Sequence, residues 1–175
     1  MNTERTMPTA SEIETGIAHA SFTLAREYAA PVEKVFAAFS EKEKKRRWYV
    51  DDVHTGMEIQ EYSLDFRVGG RERTRFRTTA ESPLRGAEVT NETVYMDIAE
   101  HERITIAYTM AVGEYRISAS LATFALMKTA TGTRLVMTDQ SAFFPNSDGV
   151  ELRREGWTKI LEALTREIHR ELAQG

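Results

Sequence analysis

Between Val53 and Ala142 about six strand-like segments follow one another, separated only by turn-forming residues, and none of the stretch has helical periodicity. A parallel connection needs a dozen residues or more, so segments joined this closely must pair antiparallel, as a meander. The punctuation is Gly69-Gly70, Ser82-Pro83 to Gly86, Ala99 to Glu102, Gly113 and Thr131-Gly132. Alternation assigns to the inner face Leu64, Phe66 and Val68, then Thr74 and Phe76, then Val94, Met96 and Ile98. It continues with Ile104, Ile106, Tyr108 and Met110, then Ala122, Phe124 and Leu126, then Leu135 and Met137. The opposite parity is mostly polar, as in a sheet with one wet face. The alternation slips near Met57 and Ile59, where a bulge or a strand start is expected.

The flanking segments supply the cover this sheet needs. Phe22, Leu24 and Tyr28 alternate as a strand, and Pro31 then opens a helix whose apolar residues Val32, Val35, Phe36 and Phe39 form one stripe. Ser40 and Glu43 are spaced as a capping box, so a second short helix is expected to carry the charged run Glu41 to Arg47 into Trp48 and Tyr49. After Phe144-Pro145-Asn146, with Asp148 and Glu151 at its start, a long helix bears Trp157, Ile160, Leu161, Leu164, Ile168 and Leu172 on one stripe. At about 24 residues it spans roughly 36 Å and must lie on the sheet, the one apolar surface large enough to cover it. The fold class is therefore α+β: about seven antiparallel strands curved around a long C-terminal helix, with two short helices after the first strand.

The 175 residues make one ordinary domain, expected over 20–175, with residues 1–19 read as a flexible tail. At 41% hydrophobic residues the chain has enough apolar surface for a core without a metal or disulfide. The absence of cysteine excludes a disulfide scaffold, a thiol nucleophile and thiolate zinc ligation. No apolar run reaches the ~18 residues of a membrane span, and the first 20 residues lack the pattern of a secretory signal, so a cytoplasmic protein is expected. Lys and Arg number 23 against 27 Asp and Glu, a net charge of −4 that argues against a nucleic-acid partner. His19, His54, His101 and His169 have no metal-ligand spacing, so neither metal nor other cofactor is expected.

The order of elements resembles the START-like, or Bet v 1-like (SRPBCC), superfamily with its helix-grip fold. It is most similar there to the branch of activator-of-Hsp90-ATPase-like and calicheamicin-resistance-like proteins. The residues that carry the likeness are Ala30-Pro31-Val32-Glu33-Lys34-Val35-Phe36 with Arg47-Trp48, Asp65-Phe66-Arg67-Val68-Gly69-Gly70, Glu102 to Tyr108, Gly132-Thr133-Arg134-Leu135 and Glu155-Gly156-Trp157. They run in family order over about residues 20 to 172. Ala99-Glu100-His101 departs from the paired prolines frequent at that loop. The resemblance implies a small-molecule cavity in many members, chaperone stimulation in a few, and no shared catalytic residue.

A strongly twisted sheet curls away from a straight helix, so a gap is expected at one end between them. Its expected lining is Phe39, Trp48, Phe66, Phe76, Met96, Tyr108, Phe124, Met137, Trp157, Leu161 and Leu164, and its expected occupant is a hydrophobic small molecule. Glu72 and Asp139, at inner parity, are the candidate acid–base groups of an alternative, enzymatic reading of the cyclase, dehydratase or hydrolase type. At the wet rim, paired with arginines, they would instead be structural. Arg71, Arg73, Arg75 and Arg77 share the outer parity opposite Glu88 and Glu92. They are read either as a solvated face or as the surface of an Hsp90-type chaperone cofactor. A monomer or a homodimer fits the long edge strands.

Overall fold

The computed structural model describes residues 15–82 and 84–174; most of the expected tail, 1–14, and the turn residue Pro83 lie outside them. The strands are β1 (Ala18–Tyr28), β2 (Glu58–Leu64), β3 (Arg71–Arg77), β4 (Glu88–Ala99), β5 (Arg103–Val112), β6 (Tyr115–Thr129) and β7 (Gly132–Phe143). All pair antiparallel in the order β1-β7-β6-β5-β4-β3-β2, so β2 to β7 form the expected meander and β1 closes against β7. The helices are α1 (Val32–Ser40), α2 (Lys42–Lys45) and α3 (Gly149–Gln174). This is the helix-grip α+β arrangement.

Pro31 stands just before α1, where its carbonyl accepts from Lys34 and Val35, and Val32, Val35, Phe36 and Phe39 are buried as expected. The expected capping box does not form: Glu41, in extended backbone, precedes α2 and makes no side-chain cap. From Arg46 to Asp51 the backbone widens into a π-helical turn. The wider turn puts three consecutive side chains, Trp48, Tyr49 and Val50, into the interior.

Along α3, Trp157, Leu161, Leu164 and Ile168 are buried, and so are the charged residues Arg153 and Glu167. Glu167 is fully buried and accepts from Arg47 Nη2 at 2.5 Å and from Arg170 Nε at 3.1 Å. Arg170 also reaches Asp52 at 2.8 Å, so α3 is tied to the π-helical turn by ion pairs as well as by packing. At the helix start Gly149 N–H donates to Ser147, while Asp148 pairs with Arg153 rather than serving a box with Glu151.

The slip near Met57 is both a strand start, at Glu58, and a register shift between Ile59 and Glu61. On β4 the expected parity fails. Tyr95 is buried and Met96 is 53% exposed, because the register shifts between Tyr95 and Asp97 and leaves Met96 as the extra residue. Val68 is also exposed, in the turn where Gly69 takes φ +78. Beside it, a Cβ on Gly70 would stand 2.1 Å from the Asp65 carbonyl oxygen, so this glycine pair serves a tight bend. On the outer face Arg73, Arg75 and Arg77 pair with Glu92 and Glu88 as expected, and also with Glu61 and Glu58 of β2.

Candidate cavity and its polar floor

Toward its C-terminal end α3 is packed solid: Leu161 and Leu164 are fully buried in one core with Phe39, Phe124, Leu135 and Met137. Toward its N-terminal end the sheet leaves a cavity of about 260 Å³. Its walls are Thr74 and Phe76 of β3, Asn91 of β4, and Tyr108 and Met110 of β5. Tyr49, Val53 and His54 close one side, and Asp148, Leu152, Arg153, Gly156, Trp157, Lys159 and Ile160 form the helical side. The lining is mainly apolar, with polar groups at a few fixed points, which is the composition of a small-molecule site.

Under the cavity lies a buried polar network. Tyr108 donates to Asp139 Oδ2 at 2.5 Å, and Ser141 donates to the other oxygen. Arg153 Nη1 donates to Tyr108 at 3.2 Å and to Ser120 at 3.3 Å, its Nη2 to Ser118 at 2.8 Å, and Trp157 Nε1 to Tyr108 at 3.1 Å. Asp148 takes the Arg153 Nε and Nη2 at 2.8 Å each. Burial raises the Tyr108 pKa, opposed by the Arg153 charge and reinforced by Asp139, so the phenol keeps its proton. Burial by itself would lower the Arg153 pKa, but the Asp148 hydrogen bonds and charge, aided by Tyr108, hold it above its ordinary value.

A second buried cluster stands beyond Tyr49. Lys45 Nζ donates to Glu72 Oε2 at 2.5 Å and to Tyr95 at 2.8 Å, Tyr95 donates to the same carboxylate at 2.6 Å, and Tyr62 to Oε1 at 3.4 Å. The ammonium also stands 5.0 Å from the Tyr49 ring centroid and 5.4 Å from that of Tyr95. Burial and then the Glu72 charge push the Tyr49 and Tyr95 pKa values well up, so both phenols keep their protons.

Of the expected lining residues, the fold brings Phe76, Tyr108 and Trp157 to the cavity. Phe39, Trp48, Phe124, Met137, Leu161 and Leu164 are packed core. Phe66 is elsewhere, its ring against Phe36 and Tyr95, and Met96 is on the outside as described. Glu72 and Asp139 point inward, as their parity requires, and are not at the rim: they are 3% and 0% exposed. Neither lines the cavity; Asp139 stands behind Tyr108 and Glu72 beyond Tyr49. Glu72 is paired with a lysine, and Asp139 is held by two hydroxyls, where arginine partners were expected.

Twelve of the fifteen lining residues lie outside the expected set, and four of them show why. Arg153 lies four residues before Trp157, on the α3 stripe, but a search for apolar periodicity passes over an arginine. Asn91 pairs in register with Thr74, whose inner parity was legible. Tyr49 reaches the wall only through the π-helical turn. His54 stacks on Phe76 at 4.0 Å between centroids, with no sequence signal beyond its being a histidine close to aromatic residues. Among the described residues no group of three His, Cys, Asp or Glu is placed to hold a metal ion. None of the described helices is long and apolar enough to cross a membrane.

Residues 29–169 match the model of the family described as Activator of Hsp90 ATPase homolog 1-like protein. An uncharacterized protein from Rhizobium leguminosarum is 35% identical, with a TM-score of 0.79 over 88% of this chain and 97% of that one. A Rhizobium loti protein is 40% identical, with a TM-score of 0.75 over 86% and 98%. The AHSA1-like protein from Aeromonas hydrophila, 13% identical, shares the fold with a TM-score of 0.61 over 87% and 94%. A comparison with curated proteins gave no match.

Proposed function

The chain belongs to the Activator of Hsp90 ATPase homolog 1-like family, and from that premise we propose that it is a binding protein for a small hydrophobic molecule held between the sheet and α3. The observation that carries this reading is the cavity of about 260 Å³ between the first turns of α3 and strands β3 to β5. An apolar cavity of about 150 Å³ is enough for benzene, so this one has room for a compact molecule of one or two rings. Apolar walls supply affinity, and the polar points of the lining set orientation.

Binding is favoured over catalysis by the position of the carboxylates. Glu72 and Asp139 are separated from the cavity by tyrosines, so neither is within reach of a guest. Arg73, Arg75 and Arg77 of the outer face are paired with glutamates, which leaves a chaperone-cofactor surface without a feature that favours it.

Gly156 provides the test. It lines the cavity, and a Cβ there would meet nothing within 4 Å. Gly156→Leu therefore fills the space while adding helix propensity of about 0.8 kcal/mol. In a screen of apolar one- and two-ring compounds, wild type should give thermal stabilisers that also shift Trp157 emission, and Gly156→Leu should give none. A screen without a stabiliser, or an unchanged response in Gly156→Leu, would overturn the proposal.

A further inference from the structure

We infer that the cavity takes a ring-bearing molecule whose buried end carries a hydroxyl group, read by His54 and Thr74. This rests on the cavity being a binding site, as proposed above, and adds the class of its ligand.

On the helical side Lys159 is exposed, while the buried groups Arg153 and Tyr108 have nothing left to offer a guest. Arg153 has five N–H donors and uses them all: Nε on Asp148, Nη1 on Tyr108 and Ser120, Nη2 on Ser118 and Asp148. The Tyr108 oxygen donates once, to Asp139, and accepts twice, from Arg153 and Trp157. A hydroxyl oxygen has no further capacity. Asp148 is bound to Arg153 through both oxygens.

The opposite wall is open. Thr74 Oγ1 is buried without a hydrogen-bond partner, on a residue 2% exposed that lines the cavity. Asn91 is its register partner on β4, which places the two side chains roughly 5 Å apart on one face. Asn91 Oδ1 accepts from Thr93, and its amide N–H groups make no hydrogen bond among the described residues.

His54 completes this wall. Its Nδ1 lies 3.0 Å from the Val50 carbonyl. A carbonyl only accepts, so the proton sits on Nδ1 and the Nε2 lone pair remains for a donor from outside. Burial holds the pKa of this imidazole below its ordinary value, which keeps it neutral. Two residues along β3 from Thr74, the Phe76 ring carries the His54 ring at 4.0 Å, so acceptor and hydroxyl border the same apolar surface. A hydroxyl group is the complement of this wall: it donates to His54 Nε2 while accepting from Thr74 or the Asn91 amide, and the ring it sits on stacks with Phe76. A hydrocarbon would leave the Thr74 hydroxyl unpaired, and an anion would bring a second acceptor against the His54 Nε2 lone pair.

The test compares 2-naphthol with 2-methylnaphthalene, equal in shape and differing by hydroxyl against methyl, in equilibrium dialysis with wild type, Thr74→Val and His54→Phe. Wild type should bind 2-naphthol at least about tenfold more tightly. Each variant should close the gap to about twofold, with its fold checked by a cooperative thermal melt. If His54→Phe fails to fold, Thr74→Val decides alone. Equal affinity of wild type for both probes would overturn the hydroxyl reading and leave the binding site standing. A preference that survives in both variants would overturn the role of these residues. Binding of neither probe would overturn the inference together with the proposal beneath it.

Discussion

Arg47 and Glu167 meet across the molecule, a guanidinium in the π-helical turn and a fully buried carboxylate on α3, with Nη2 to Oε1 at 2.5 Å. The carboxylate is inside and the arginine 43% exposed, so the two are not equivalent. Arg47→Ala leaves a buried anion with Arg170 as its remaining arginine and should cost about 3 kcal/mol. Glu167→Gln leaves two arginines in contact with water and should cost about 1.5 kcal/mol. Urea denaturation of the two variants checks the order; equal losses would place the burden on packing instead.

Asp139 receives the hydroxyl protons of Tyr108 and Ser141 inside the fold. Asp139→Ala strands both donors and should lower stability by about 3 kcal/mol. Tyr108→Phe should also destabilise, by about 2 kcal/mol, since Asp139, Arg153 and Trp157 each lose a partner. The double variant should cost less than the sum, because the two share one bond. Thermal melts of the three proteins measure this, and simple additivity would deny the network.

Thr74→Val should raise stability by about 1 kcal/mol, contrary to the usual effect of an interior change. It removes an unpaired buried hydroxyl and keeps the shape of the side chain. A midpoint shift in urea reports it, and a loss would mean that Thr74 has a partner in solution.

His54 links stability to pH. Burial depresses its folded pKa, while its Val50 hydrogen bond and the charge of Asp51 act the other way. Asp148, Arg153 and Lys159 face the same cavity from α3 and its start. Below about pH 6.5 the unfolded chain binds a proton at this site that the folded chain refuses. The contribution is therefore full above that pH and is lost as pH falls toward the depressed folded value, at up to about 1.4 kcal/mol per unit. Urea midpoints taken from about pH 7.5 down to about pH 5.5 should fall less steeply in His54→Phe than in wild type. Parallel profiles would exclude His54 as the source.

Element order and pairing were legible because alternation and turn chemistry are local signals, and short loops leave few topologies. The α3 stripe was legible for the same reason at Trp157, Leu161 and Leu164. Arg153 and Glu167, which share that stripe, were not. Their burial depends on Tyr108, Ser118 and Ser120 in one case and on Arg47 in the other, and partners 33 to 120 positions away leave no mark on local pattern. Met96 was misplaced because one extra residue reverses every parity beyond it. The cavity was expected at one end of α3, yet most of its expected lining proved to be core. Parity identifies an inner face and says nothing about how far along the helix a residue stands. His54, Thr74 and Asn91 form a wall only once β3, β4 and the segment after the π-helical turn are assembled.

That turn from Arg46 to Asp51 has a consequence for how such a chain can change. A π-helical turn holds one residue more than an α-helical turn of the same span. Deleting one residue there would restore ordinary winding with the flanks oriented as before, and would leave room for only two of the three consecutive interior side chains Trp48, Tyr49 and Val50. Divergence in pocket shape can therefore come abruptly, through a single codon gained or lost, where substitutions elsewhere would reshape it only by degrees.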